Sequence, residues 1–275
     1  MTPGGEKASG RPESSSASRR IALLLEYEGT RYSGSQYQRN GRTIQEALET
    51  AISSLTGESI RVTMAGRTDS GVHAWGQVAS FLTERDHDLS VFLRGINFYL
   101  PEDIAVRAVA EIPPGFNIRR RPLKRWYRYT IYLSEQRPVL ARRFVWAISQ
   151  PLDLEAMRQA ASLLEGEHDF AAFTTPSAAR AVSTVRRVYS ATLTQRGRFL
   201  CFDIEASAYL MQQVRRLVGA LVQLGSGKLT LEGFRQLLES GSPGMATFVA
   251  PPQGLCLMKV TYEKEFFDDE EHENI

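Results

Sequence analysis

The sequence predicts an α+β fold of two ferredoxin-like β-α-β-β-α-β halves, with mainly antiparallel sheets joined or facing across a cleft. Three observations carry that prediction. Strand and helix periodicities alternate in this order along the first part of the chain. A Pro113-Pro114-Gly115 break interrupts it near the middle. Beyond the break the same order returns. The duplication is architectural, since no residue-level repeat accompanies it.

The elements follow in order. IALLLEYE at 21–28 is a strand apolar enough to be buried. A helix over 43–56 has Thr43 and Glu46 as a capping box and Gly57 as its stop, with Ile44, Ala47, Leu48, Ala51, Ile52 and Leu55 on one face. A short strand at 60–65, a loop and a strand at 76–83 come next. A helix at 88–99 turns Leu89, Phe92, Leu93 and Ile96 inward, and a strand covers 104–111. The second half reads as a strand at 126–133, a helix at 153–165, strands at 184–194 and 199–206, a helix at 210–224 and a strand at 255–262. A strand at 143–148, a short helix at 230–239 and a long loop to 254 decorate it.

The domain plan is therefore a first half at 21–113, which carries the candidate catalytic loop, and a second at 114–263. Residues 1–20, rich in Gly, Ser and Pro, read as a disordered tail. They lack the apolar core of a signal peptide, and Glu6 and Glu13 argue against an organellar transit peptide. Residues 264–275 form an acidic, solvated tail with Asp268, Asp269, Glu270, Glu271 and Glu273. With 43% hydrophobic and 23% charged residues, wholesale disorder, collagen and coiled coil are excluded. A net charge of +2 names no partner, so any nucleic-acid affinity must come from local clusters. Two cysteines, Cys201 and Cys256, cannot build a disulfide framework, and a reducing cytoplasmic setting is expected. No apolar run approaches the roughly 20 residues of a membrane span.

Three segments carry candidate chemistry. The first is the glycine-rich loop Ala65-Gly66-Arg67-Thr68-Asp69-Ser70-Gly71-Val72-His73. Arg67 and Asp69 flank one residue, so both can project into the same space. One reading is a hairpin loop whose aspartate caps a turn. The other is a carboxylate kept ionised and oriented by a guanidinium, as a nucleophile requires. The second is FNIRRRPLKRWYRYTIY at 116–132, where Arg119, Arg120, Arg121, Lys124, Arg125 and Arg128 interleave with aromatic rings and meet no acid in the local sequence. Arginines to neutralise phosphates with rings to stack on bases suit a nucleic acid; core rings with solvated arginines are the alternative. Alternation puts Tyr127, Tyr129, Ile131 and Leu133 on one strand face, and Trp126, Arg128, Thr130 and Tyr132 on the other. The third is helix 210–224. Arg215 sits at the margin of its buried face, where it either snorkels or pairs with an acid such as Asp69, while Arg216 is expected to face solvent.

Other motifs close. His73, His168, Cys201 and Cys256 lack zinc spacing. Gly225-Ser226-Gly227-Lys228 falls short of a P-loop, with Val222 where its first glycine belongs and Leu229 where a hydroxyl should follow the lysine. No metal and no cofactor site is expected.

AGRTDSGVHAWGQVASF resembles the catalytic segment of the bacterial tRNA pseudouridine synthase A family, and the resemblance spans nearly the whole folded body. Tyr27-Glu28-Gly29-Thr30 with Tyr32, Gly34, Gln36 and Gln38 is similar to that family's opening strand and loop. FNIRR with WYRY, Glu167-His168-Asp169-Phe170, Val214-Arg215 through Gly219, and Gly254-Leu255 through Tyr262 are similar to later blocks. The resemblance implies two RRM-like halves, a homodimer without cofactor, and a tRNA substrate modified at uridines 38 to 40. It implies Asp69 as the essential aspartate, Tyr127 packed on the target uracil, Arg67 in base flipping and Arg215 as the basic partner of Asp69. Arg119, Arg120, Arg125, Arg128, His73 and Gln36 are the substrate-binding candidates. Ser35 replaces a frequent aromatic, Gln212-Gln213 a frequent His-Met, and Trp126 a common arginine. The implied chemistry breaks N1–C1′, turns the uracil and rejoins it through C5. A carboxylate with a reference pKa near 3.9 is ionised at neutral pH and able to attack. Attack at C1′, attack at C6 and a glycal route remain open. The Tyr127 hydroxyl, with a reference pKa near 10, takes part in proton transfer only if its surroundings perturb it. A non-catalytic tandem RNA-binding module and a carboxylate-dependent nucleosidase are the rival readings.

Overall fold

The computed structural model describes residues 18–267. Among them, ten strands and six α-helices form a mixed α+β body around one open, mostly antiparallel sheet. The two tails expected from the sequence lie mainly outside the described residues. Regular structure reaches into their inner ends. Strand β1 (Arg19–Tyr27) opens with Arg19, which holds Glu111 at 2.7 Å. Phe266 lies edge-on to Phe116, with ring centroids 4.9 Å apart.

Helix α1 (Ile44–Thr56) is capped as its sequence requires. The Thr43 hydroxyl accepts from Glu46 N at 3.2 Å, and Gly57 closes the helix at φ 71°. Strand β2, expected over 60–65, is only Thr63–Met64. Ile60 and Val62 are buried, but side chains of α1 take the backbone groups a strand would use. Val62 N donates to Glu49 Oε1 at 3.0 Å, and Gln45 Nε2 donates to the Val62 carbonyl at 3.3 Å. Strand β3 (His73–Thr83) starts three residues earlier than expected. Helix α2 (Leu89–Tyr99) buries Phe92 and Ile96, and β4 (Ile104–Ile112) follows.

After β4 the chain runs β5 (Lys124–Leu133), β6 (Trp146–Ile148), α3 (Leu154–Ser162), β7 (Gly166–Asp169), α4 (Pro176–Ala181), β8 (Val185–Arg196), β9 (Phe199–Ala206), α5 (Gln213–Gly225), α6 (Leu231–Glu239) and β10 (Leu255–Thr261). Strand β7 and helix α4 are additions to the expected plan. Helix α4 has a start signal that the sequence displayed: the Thr175 hydroxyl accepts from Ala178 N, and Pro176 fills the first helical position. Helix α5 begins at Gln213 rather than 210. Leu210 N donates to the Gln213 side chain at 2.8 Å, and Gln212 takes a left-handed φ of 61°, so the preceding turn is not helical.

The strand order is β4-β1-β3-β10-β5-β9-β8-β7, with β2 on β3 and β6 on β5. Only β3–β10 and β5–β6 pair in parallel. The β3–β10 seam is two residue pairs long, His73 with Cys256 and Ala74 with Leu257. Gly76 continues it, where a β-carbon would run into the Met258 carbonyl. Along β1 the side chains of Ile21, Leu23, Leu25 and Tyr27 are buried, and along β5 those of Tyr127, Tyr129 and Ile131. Their alternates Glu26, Trp126, Arg128 and Thr130 are half-exposed, so one face of the sheet is covered and the other is partly open.

Candidate active site

The loop from Ala65 to Val72 joins β2 to β3 and is anchored at nearly every residue. Gln77, fully buried on β3, donates through Nε2 to the Gly66 carbonyl at 2.9 Å and accepts from Gly66 N at 3.2 Å. The Tyr27 and Thr68 hydroxyls share a hydrogen bond of 2.8 Å in the core, and burial pushes the Tyr27 phenol up to about 12. Ser35 Oγ accepts from Thr68 N at 2.9 Å while Ser35 N donates to the Thr68 carbonyl at 3.1 Å. Its small hydroxyl thus serves the loop directly at a position where an aromatic is frequent in the resembling family. Gly34, at φ +96°, lies so close beneath that a methyl group there would stand 2.9 Å from the Thr68 carbonyl. Gly34→Ala is therefore expected to cost about 1–3 kcal/mol in backbone strain alone, and to displace the loop. Thermal unfolding and turnover should both fall; an unchanged Tm would contradict the geometry.

Held in this way, Asp69 reaches across to α5. Its Oδ2 accepts from Arg215 Nη1 at 3.2 Å, and Arg215 Nε donates to the Ala250 carbonyl at 2.8 Å. The Arg215 side chain is 13% exposed and that of Asp69 28%, so the cation is enclosed while the acid keeps an open side. Arg215 does not snorkel. Arg216, expected to face solvent, is half-buried instead, with Nη1 donating to the Ala246 carbonyl and Nη2 to Gln212 Oε1.

Asp69 opens into a cleft of roughly 770 Å³, within the range of small-molecule sites at about 300–1,000 Å³. Arg67, Arg119, Arg125, Arg186 and Arg215 line it, and Asp69 is its one acidic lining residue among those described. Arg67 is exposed and makes no ion pair or hydrogen bond among the described residues. Arg125 is nearly enclosed and acts as a pillar. Its Nη1 donates to the Ser207 carbonyl at 2.8 Å and its Nη2 to the Ala65 carbonyl at 3.0 Å, tying the aspartate loop to the chain after β9. Burial lowers its pKa, though an arginine remains charged.

Tyr127 lies in the same cleft, on the covered face of β5. The Tyr209 ring meets it edge-on at 5.0 Å and 81°, which fixes its plane. Burial pushes its phenol well above the ordinary value of 10, so the hydroxyl stays protonated at neutral pH. The perturbation runs opposite to what a general base needs.

The cleft thus gathers Asp69, Arg67, Tyr127, Arg215, Arg119, Arg125 and Gln36. Three other expected site residues lie elsewhere. Arg128 projects to the opposite face of β5, where Nε and Nη2 grip Asp203 at 2.9 and 3.3 Å. The acid missing from its local sequence comes from β9. Arg120 is exposed but does not line the cleft. His73 is buried behind the loop: Nδ1 accepts from Gly29 N at 3.0 Å and Nε2 donates to the Arg143 carbonyl at 2.7 Å. Those partners fix a neutral ring with its proton on Nε2, and burial holds its pKa below the ordinary 6.5. A lowered folded-state pKa contributes stability above the unfolded value, and that stability is lost as pH falls from 6.5 through the folded-state value. Wild-type protein should lose Tm on acidification through this window more steeply than His73→Gln.

Arg186 and Tyr209 were not singled out in the sequence. Alternation offered a signal for the first, because Arg186 shares a strand face with Val188, which is buried. Tyr209 had none, as it stands in an irregular segment before α5.

Comparison with known proteins decides the family. Residues 23–119 and 160–263, most of the chain, match the family model for tRNA pseudouridine synthase. The chain belongs to the tRNA pseudouridine synthase family. A protein of Geobacter sp. strain M21 named tRNA pseudouridine synthase A is 46% identical over 245 residues, covering 89% of this chain and 99% of that one. The protein of that name from Geobacter sulfurreducens is 46% identical over 244 residues, covering 89% and 100%. The one from Chloroflexus aurantiacus is 43% identical over 248 residues, covering 89% of each. Synthases of this family are isomerases that turn uridine into pseudouridine. Of the cleft residues, Arg67, Asp69 and Arg119 fall in the first matched stretch and Arg186 and Arg215 in the second, while Arg125 and Tyr127 lie between them.

Proposed function

We propose that this chain isomerises uridine to pseudouridine in the anticodon stem-loop of tRNA, at positions 38 to 40, with Asp69 as nucleophile and the target base turned out of its stack into the cleft. One observation carries the reading: a half-open carboxylate, held by an enclosed guanidinium at 3.2 Å, on the wall of an otherwise cationic cleft. The position range rests on the sequence resemblance.

The reaction needs no second substrate and no redox partner: the C5 proton passes to water and N1 takes one up, so orientation and charge placement suffice for it. Arg215 fixes the direction of the free oxygen of Asp69 through a charge-assisted hydrogen bond. Attack at C1′, attack at C6 or elimination to a glycal all begin from this carboxylate. Extruding the base costs a few kcal/mol, which phosphate contacts along the arginine wall offset. Arg67, unpartnered and exposed at the rim, fills the space the base vacates. Tyr127 supports the uracil by its ring while the N1–C1′ bond is open. Its neutral phenol donates a hydrogen bond and does not accept a proton as a base. Tyr127→Phe is accordingly expected to retain stem-loop affinity and lower the rate by no more than about tenfold. Tyr127→Ala should weaken binding as well.

The strand orders β4-β1-β3-β2 and β10-β5-β9-β8 follow the same plan twice. They support two ferredoxin-like, RRM-like halves at 21–113 and 114–263, meeting at the β3–β10 seam beneath the cleft. A homodimer acting on tRNA in the cytoplasm is the setting that the resemblance implies. Among the described residues no helix is long and apolar enough to cross a membrane.

Stem-loops carrying 5-tritiated uridine singly at 38, 39 or 40 test the reading. Release of tritium to water at one or more of these positions, with pseudouridine in the product, is expected. Retained label at all three, or release of free uracil, would overturn it.

A further inference from the structure

Arg186 is a cleft arginine that the aspartate, the tyrosine and the loop scaffold do not engage. Arg186, near the start of β8, donates through Nη1 to the Ser183 carbonyl at 2.7 Å and the Val185 carbonyl at 2.6 Å. That clamp fixes the guanidinium plane and leaves its other edge, formed by Nε and Nη2, without an acceptor among the described residues. Nε is buried and has no hydrogen-bond partner among the described residues. A buried donor in this state is unfavourable unless a ligand completes it. Among the described residues no ion pair reaches Arg186, and Arg67, Arg119 and Arg125 line the same cleft. Burial first, and then the neighbouring Arg125, lower the pKa of Arg186. Like charges gathered in one cleft repel one another, and an anion lying among them relieves that repulsion.

We propose that Arg186 binds a backbone phosphodiester of the RNA substrate, one linkage away from the target uridine or adjoining it, through its Nε–Nη2 edge. Two parallel N–H groups match two phosphate oxygens, a geometry that a lysine lacks. The carbonyl clamp pre-orients the fork, so little side-chain freedom is lost on binding. This inference deepens the RNA-modifying reading and rests on it.

The test compares wild type, Arg186→Gln and Arg186→Lys on the same anticodon stem-loop, with single methylphosphonate linkages placed around the target uridine. Arg186→Gln should weaken binding roughly 10- to 100-fold and make the salt dependence of log K shallower by roughly 0.7–0.9. Arg186→Lys should restore the salt slope without restoring full affinity. One methylphosphonate should weaken wild type by a similar factor and leave Arg186→Gln unaffected, a coupling that a merely destabilised variant does not produce. Additive losses at every linkage, or wild-type affinity in Arg186→Gln, would overturn the proposal while leaving the isomerase reading intact. Absence of tritium release by wild type would instead overturn that reading.

Discussion

Asp69→Asn is expected to abolish pseudouridine formation, lowering kcat by at least about 10⁴-fold, while Tm and stem-loop affinity stay close to wild type. Removing a nucleophile costs on the order of 10⁴–10⁶ in rate where the rest of a site is preserved. Preservation is expected here because the amide is isosteric and its oxygen can still accept from Arg215 Nη1, now 3.2 Å from the carboxylate. Arg215 also keeps the Ala250 carbonyl, so the enclosed cation is not orphaned. The loop owes its shape to Gln77, Tyr27, Ser35 and Arg125, none of which touches the Asp69 side chain. Affinity for RNA should hold or rise, since the substitution removes the acid from the cleft lining. Single-turnover tritium release measures the first effect and filter binding the second. Substantial turnover by the amide variant would exclude covalent attack by Asp69.

Arg215→Met should lower kcat by about 10²-fold or more, with stem-loop affinity changed by no more than about threefold. The methionine fills the enclosed space beside Val214 and Leu217 but removes both the charge and the directed N–H groups. Asp69 then loses the partner that aims it, and misplacement by about 1 Å is enough to cost on the order of 10²-fold. Arg215→Lys separates the two contributions. It keeps the charge but not both hydrogen bonds, to Asp69 and to Ala250, and should fall between wild type and Arg215→Met. If lysine restored full activity, charge alone would account for Arg215 and the paired geometry would be incidental.

The parts of the fold that sequence disclosed are those with local causes. Thr43 and Gly57 bound α1 because capping and left-handed closure depend on neighbouring residues only. The ends of β2 and α5 depend on side chains arriving from elsewhere. Glu49 and Gln45 take the backbone groups of Val62, and Gln213 takes the amide of Leu210. No periodicity signals such substitutions. The site divides in the same way. Asp69 and Arg67 share one compact loop, and Tyr127 stands out on an alternating strand. The pairing of Asp69 with Arg215 spans 146 residues of sequence, so residue types could suggest it but not establish it. The basic run at 116–132 misleads in part for a related reason. Arg128 is neutralised by Asp203 from the adjacent strand, and only the tertiary fold shows that Arg119 and Arg125 face the cleft while Arg128 does not.

The β3–β10 seam, two residue pairs long, joins β3, which follows the Asp69 loop, to β10, which follows the Ala250 carbonyl that holds Arg215. The spacing of Asp69 and Arg215 therefore depends on that short joint, and a side chain at Gly76, which would run into the Met258 carbonyl, would shift it without touching either residue.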